Sequence, residues 1–184
     1  MTTVVFLFSM VIGLLLAETR VSRENERRLR ARGALLPDGD VYRALALLYP
    51  TAFLAMGVEG MWRAAHGAAA PFAEPGPSWT ASGVVLFLAS KALKYWAISA
   101  LGDRWTFRVY IEPHLPLVTT GPYRYIAHPN YVAVVGELVG AAMMFGAPIT
   151  GPIMFVLFGA ALWARVRFET RVLREAAGGR SASE

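Results

Sequence analysis

Five apolar runs decide most of what this chain can become: residues 2–17, 41–62, 79–100, 129–147 and 149–164. A helix needs roughly 20 residues to cross the ~30 Å hydrocarbon layer of a bilayer. The second, third and fourth runs meet that length, whereas the first and fifth must borrow flanking residues or tilt. Hydrophobic residues make up 55% of the 184, a share that soluble domains of this size rarely reach. The expectation is an all-α integral membrane protein with five transmembrane helices, the last two closing a C-terminal hairpin. The first run lacks a basic n-region, and "LLLAETR" is a poor cleavage site, so it reads as a span and not as a signal peptide.

The placement of Arg and Lys sets an expected orientation. Segment 18–43 holds seven basic residues, 101–128 holds three and the stretch from Arg165 onward holds five, while the 63–78 loop holds only Arg63 and "GAPITGP" holds none. Positive-inside logic therefore puts the N-terminus outside and the C-terminus in the cytoplasm of a bacterial inner membrane. Segment 18–36, "ETRVSRENERRLRARGALL", reads as a solvated polar helix against lipid headgroups, with a partner site as the alternative. Residues 1–184 form a single membrane domain on this reading. Three N-terminal spans with their basic segment occupy 1–100, a core follows over 101–175, and 176–184 is a disordered tail.

Composition also removes several function classes. The chain has no cysteine, so it has neither a disulfide framework nor a thiolate metal site. Its three histidines, His66, His114 and His128, are scattered, and no metal is expected. The net charge of +5 lies between apolar runs, which suits anionic headgroups and not nucleic acid.

The densest chemistry stands before the fourth run, in "LVTTGPYRYIAHPNYVAVVGE" (117–137). Gly121-Pro122 is turn chemistry that sets Tyr123 and Tyr125 on a bend. Proline suits the first position of a helix, because its missing N–H would be unpaired there anyway. The fourth helix is therefore expected to start at Pro129 with His128 as its cap. Its free amides and positive dipole end favour an anionic group. Tyr123, His128 and Tyr131 supply donors and flat faces around that point. An interfacial aromatic belt would supply the same residue types, so spacing alone leaves both readings open.

After the fifth run, "LWARVRFETRVL" places Arg165 and Glu169 four residues apart on one helical face, with Leu173 a turn further. A short turn makes the fourth and fifth helices antiparallel neighbours, which brings Arg165 and Glu169 near His128 and Tyr131. The bland alternative is a surface ion pair worth under ~1 kcal/mol. Glu137 lies inside the fourth helix, where an ionisable group faces the bundle interior. Lys91 and Lys94 are its possible partners, and a neutral, hydrogen-bonded Glu137 tying helices together is the other reading. Glu59 reads as interfacial. Gly136-x-x-x-Gly140 is a small-residue helix-contact pattern, common enough to mean little alone.

The run "LVTTGPYRYIAHPNYV", followed after a hairpin by "RVRFETRVL", resembles the isoprenylcysteine carboxyl methyltransferase family of membrane enzymes. The likeness covers mainly residues 102–173, and "LGDRWTF" at 101–107 resembles the stretch ahead of that core. "SRENERRLRARGA" is similar, more weakly, to a bacterial branch found with alkylpyrone-making polyketide synthases. The resemblance implies that S-adenosyl-L-methionine is the cofactor, bound on the cytoplasmic side, and that a lipid-like acceptor entering from the bilayer is methylated on oxygen. By position it implies cofactor contacts at Leu115, Pro116, Leu117, Val118, Tyr123, His128, Pro129, Asn130, Tyr131 and Glu169. Arg165 would bind the acceptor, and His128 and Arg165 would be catalytic. Two departures stand out. The family usually reads Arg-His-Pro where this chain has Ala127-His128-Pro129, with Arg124 or Arg104 as possible substitutes, and Thr170 stands where an additional acid is common. The rival readings are an NADPH-dependent membrane reductase of the sterol-reductase type and a non-catalytic membrane scaffold or transporter component.

Overall fold

The computed structural model describes residues 2–66, 76–112 and 116–181, with side chains as far as Arg174. Five helices carry the fold: α1 (Thr2–Ala31), α2 (Tyr42–His66), α3 (Pro77–Leu101), α4 (Pro129–Phe145) and α5 (Thr150–Ser181). Short 3₁₀ turns at Gly102–Arg104 and Gly121–Arg124 flank the long connection between α3 and α4. Among the described residues, the one strand-like feature is an antiparallel bridge between Leu35 and Ile111.

The lengths differ from the sequence expectation in an instructive way. Four helices are long and apolar enough to cross a membrane, α1, α2, α3 and α5, which marks the chain as an integral membrane protein. The fourth run, which fitted well on paper, gives the shortest helix, 17 residues, or about 26 Å at 1.5 Å per residue. It ends where Gly146 takes a left-handed conformation at φ 61°, and Ala147 N–H returns to the Ala142 carbonyl at 2.9 Å, a Schellman-type stop. The first and fifth helices gain length because their polar continuations stay helical. α5 runs through Ser181, across most of the segment expected to be a disordered tail; residues 182–184 lie outside the described residues.

The polar half of α1 is also more than a solvated surface helix. Glu18, Ser22, Asn25 and Leu29 are buried, a spacing that forms one inward stripe. Asn25 donates to the carbonyls of Gly102 (3.2 Å) and Trp105 (2.8 Å). Ser22 Oγ accepts the Phe107 N–H at 2.9 Å. Arg32 pairs with Asp103 at 2.5 Å and with Glu112 at 3.2 Å. One face of this half-helix thus braces the connection that follows α3, and Arg30 adds a contact to the Tyr110 hydroxyl at 2.8 Å.

α3 and α4 form the most intimate helix pair, and glycine makes it possible. A Cβ at Gly140 would stand 2.7 Å from Phe87 N and 2.9 Å from the Gly83 carbonyl. A Cβ at Gly83 would stand 2.8 Å from the Gly140 carbonyl. The small-residue pattern therefore has a matching glycine across the interface, the arrangement that lets membrane helices approach closely. Gly140→Val should force the pair apart and cost about 1–3 kcal/mol or more, read as a lower thermal midpoint in detergent. Gly13→Ala, at a site with nothing within 4 Å, should leave that midpoint nearly unchanged.

The core joins Phe53, Met56, Phe87, Leu138, Ala141, Met144 and Phe145 across the bundle. Within it lies a charged quartet. Lys91 Nζ meets Glu18 Oε1 at 2.6 Å and Glu137 Oε2 at 2.9 Å, and Lys94 Nζ meets Glu18 Oε2 at 2.6 Å and faces Glu137 Oε1 at 3.4 Å. The Tyr49 hydroxyl donates to Glu137. The possible lysine partners of Glu137 are thus its actual partners, and Glu18, which the sequence reading left in a surface helix, completes the group. At the opposite end, Glu59 is not merely interfacial. It accepts from Ile149 N (3.1 Å), Thr150 N (2.8 Å) and Thr150 Oγ1 (2.6 Å), and so caps the start of α5.

Candidate functional site

The turn before α4 is built as its residues require. Gly121 has φ 60° and sits so close to α3 that a Cβ would lie 2.8 Å from the Ala100 methyl. Pro122 is buried behind it, and its carbonyl accepts from Tyr125 N and Ile126 N, both at 3.0 Å. His128 then takes an extended φ of −131° and Pro129 opens the helix. The Tyr131 amide closes back on the His128 carbonyl at 3.1 Å. The helix start lies where proline at the first position placed it.

Both sequence-distant motifs meet above this start. The Tyr131 hydroxyl donates to Glu169 and accepts from Arg165 Nε at 3.2 Å. His128 Nδ1 stands 4.0 Å from Glu169 Oε1, and its ring stacks on Tyr131 with centroids 5.4 Å apart and planes 23° from parallel. His128 Nε2 faces Thr170 Oγ1 at 3.5 Å. His128, Tyr131, Arg165 and Glu169 line a cavity of about 540 Å³ together with Leu117, Val118, Tyr123, Asn130 and Leu173, a size typical of small-molecule pockets. Burial and the neighbouring Glu169 charge hold the Tyr123 phenol protonated well above its usual range.

Three residues expected at the site are not among the cavity-lining residues, one of them because it is not described. Leu115, like His114, lies outside the described residues. The Pro116 carbonyl accepts from Arg104 at 2.8 Å, and Pro129 is buried in the helix start; neither belongs to the cavity wall. Arg165 does line the cavity, but each of its three guanidinium nitrogens already makes a contact. Besides Tyr131 it pairs with Asp40 and donates to the Phe107 carbonyl at 2.7 Å. Asp40 also accepts the Tyr42 N–H at 3.0 Å, which fixes the start of α2. Its second oxygen is buried without a hydrogen-bond partner.

Asp40 and Trp105 are the polar-site residues that sequence reasoning missed. Trp105 Nε1 donates to Asn130 Oδ1 at 3.3 Å. Its stretch drew notice, but no periodicity links it to Asn130. Asp40 stands in a "PDGD" turn and offered no signal beyond that.

A family description of the isoprenylcysteine carboxyl methyltransferases matches residues 83–175, just over half of the chain. The chain belongs to the isoprenylcysteine carboxyl methyltransferase family. The whole length is also similar to the uncharacterized protein YpbQ of Bacillus subtilis (strain 168), at 28% identity over 174 residues, 92% of this chain and 98% of that one. An uncharacterized protein of Haemophilus influenzae is 25% identical over 88 residues, 47% of this chain and 51% of its own. No solved structure matches. Membership covers α3 from its small-residue face through most of α5, and therefore both motifs that build the cavity.

The structure also bears on the departure at Ala127. Its methyl lines the cavity where the family usually has a guanidinium. Of the two possible substitutes, Arg104 lines the same cavity and pairs with Glu112 at 3.5 Å. Arg124 lies against the Tyr125 ring, 5.8 Å from its centroid, and is not part of the wall.

Proposed function

We propose that this protein is an S-adenosyl-L-methionine-dependent O-methyltransferase acting on a carboxylate or acidic hydroxyl of a lipid-like acceptor, be it prenyl, alkylpyrone or phenolic. The observation that carries the reading is the meeting of the Gly121–Tyr131 and Arg165–Glu169 motifs on one cavity, in a chain of this family. The residues present suit the cofactor. Glu169 offers a carboxylate for ribose hydroxyls or an amine, the stacked His128 and Tyr131 rings offer flat faces, and Asn130 adds a polar amide. When bound, S-adenosyl-L-methionine supplies an electrophilic methyl group on sulfur.

The work of the chain itself is positioning. Such placement contributes about 7–11 kcal/mol to a bimolecular step when the reacting atoms are held in line. His128 is the group poised to take a proton from a phenolic hydroxyl. Held by Asp40 and Tyr131, Arg165 presents a fixed positive charge to an anionic acceptor instead of a searching side chain. The apolar part of the wall, including Leu15, Leu45, Phe158 and Leu162, suits a hydrocarbon chain and excludes water. The basic segments 18–43, 101–128 and the end of α5 favour placing the cavity mouth in the cytoplasm.

Calorimetry on the purified protein in detergent tests this directly. S-adenosylmethionine should bind and NADPH should give no heat, and a labelled methyl group should pass into a lipid extract of the native host. Binding of NADPH alone would sink the proposal.

A further inference from the structure

The buried quartet is not sealed from the cavity. Lys94 and Tyr49 line its wall; Glu18, Lys91 and Glu137 do not. We propose that Lys94, held in place by Tyr49, is an oxygen-binding subsite at membrane depth, taking the carboxylate, phenolate, enolate or carbonyl head of an amphiphilic acceptor. The proposal deepens the methyltransferase reading by assigning the acceptor's polar group a second fixed contact, and it rests on that reading for the acceptor being a substrate.

The argument begins with donors. An ammonium has three N–H groups. Lys91 spends two on short contacts to Glu18 and Glu137, at 2.6 and 2.9 Å. Lys94 makes one short contact, to Glu18 at 2.6 Å, and a long one to the Tyr49 hydroxyl at 3.3 Å. It donates no hydrogen bond to Glu137, whose Oε1 is buried without a hydrogen-bond partner. Lys94, the one lysine among the described residues that reaches the cavity, thus makes one short contact where Lys91 makes two, with the Tyr49 hydroxyl at 3.3 Å and Glu137 Oε1 at 3.4 Å as its longer neighbours.

Charge points the same way. Two lysines and two glutamates make the quartet formally neutral, and charges at this depth are costly unless paired or put to use. The half shown to the cavity carries a cation and a phenol, while both carboxylates are withheld behind it. Tyr49 already gives its proton to Glu137, so toward any further group its oxygen acts as an acceptor, as it does toward Lys94. A ligand oxygen meeting this surface finds donation from Lys94, and a ligand hydroxyl finds an acceptor in Tyr49. Around them the wall is hydrocarbon: Leu45, Val134, Phe158 and Leu162. Pro50, also in the wall, has no N–H for the Ala46 carbonyl four residues earlier. A headless hydrocarbon gains nothing from this polar point, whereas an oxygen-headed one gains a charge-assisted hydrogen bond.

The test uses probes of matched chain length: dodecanoate, 4-dodecylphenol and headless 1-phenyldodecane, titrated into the full-length protein in detergent. The fluorescence of the cavity-lining Trp105 reports binding. The wild type should prefer the two oxygen-headed probes by about tenfold or more, the worth of a hydrogen bond to a charged group. Lys94→Met with Glu137→Gln removes one charge of each sign and should abolish that preference. Tyr49→Phe keeps all four charges and should reduce it. Equal affinities in the wild type, or an undiminished preference in the folded double variant, would overturn the subsite. If the double variant does not fold, Tyr49→Phe decides alone, and an unchanged preference overturns it. Since no methyl transfer is read, a protein that prefers headed probes yet binds no S-adenosylmethionine would retain this subsite while refuting the proposed reaction.

Discussion

Glu137→Ala is expected to be the most damaging single substitution in the bundle, lowering stability by about 3–5 kcal/mol, the usual result of breaking a buried ion pair from one side. Glu137 is fully buried and pairs with two lysines. Its loss leaves Lys91 and Lys94 sharing Glu18 alone, a net positive charge inside an apolar core. The cost should arise from the stranded cation and not from the missing side-chain volume. Lys91→Met combined with Glu137→Gln restores neutrality, leaving Lys94 with Glu18, and should recover most of the stability despite carrying more changes. Thermal unfolding in detergent reads both variants. A double variant as unstable as Glu137→Ala would mean that packing around α4, and not charge balance, sets the loss.

That quartet also shows where sequence reading stops. Hydropathy placed the five helices and proline chemistry the Pro129 start, because these are local properties: run length and a missing proline N–H. Glu137, Lys91 and Lys94 were recognisable as a group because each interrupts an apolar run. Glu18 was not, because it opens a stretch rich in Glu and Arg, where one inward acid looks like its outward neighbours. Only the continuation of α1 as an unbroken helix, Thr2–Ala31, turns Glu18 toward α3. The lengths of α1 and α5 were underestimated for a related reason: hydropathy measures what lipid tolerates, whereas backbone hydrogen bonding carries a helix on into polar sequence.

The polar site followed the same division. The approach of Glu169 to His128 was legible from one short turn, which makes α4 and α5 antiparallel and fixes which ends meet. Asp40 was not legible, since it stands 125 residues from Arg165 and no periodicity connects them. Its presence changes the chemistry assigned to Arg165. An arginine expected to bind the acceptor is also tied to Asp40, Tyr131 and the Phe107 carbonyl. It is a fixed element of the wall, bought with three contacts from three parts of the chain.

Glu169→Ala should weaken S-adenosylmethionine binding by about tenfold or more, since a hydrogen bond to a charged group contributes roughly 1.5–3 kcal/mol. Two observations set that size. Glu169 lines the cavity, and its carboxylate accepts from Tyr131 while standing 4.0 Å from His128. Removing it deletes a carboxylate contact and also releases the Tyr131 ring that stacks on His128. Glu169→Gln separates the two effects. An amide oxygen can still accept from Tyr131 and keep the stack, but it carries no charge, so its affinity should fall between wild type and Glu169→Ala. Calorimetry in detergent measures all three. If the alanine variant binds as tightly as wild type, Glu169 holds Tyr131 for structural reasons only, and the ligand must be held by the α4 motif without help from α5.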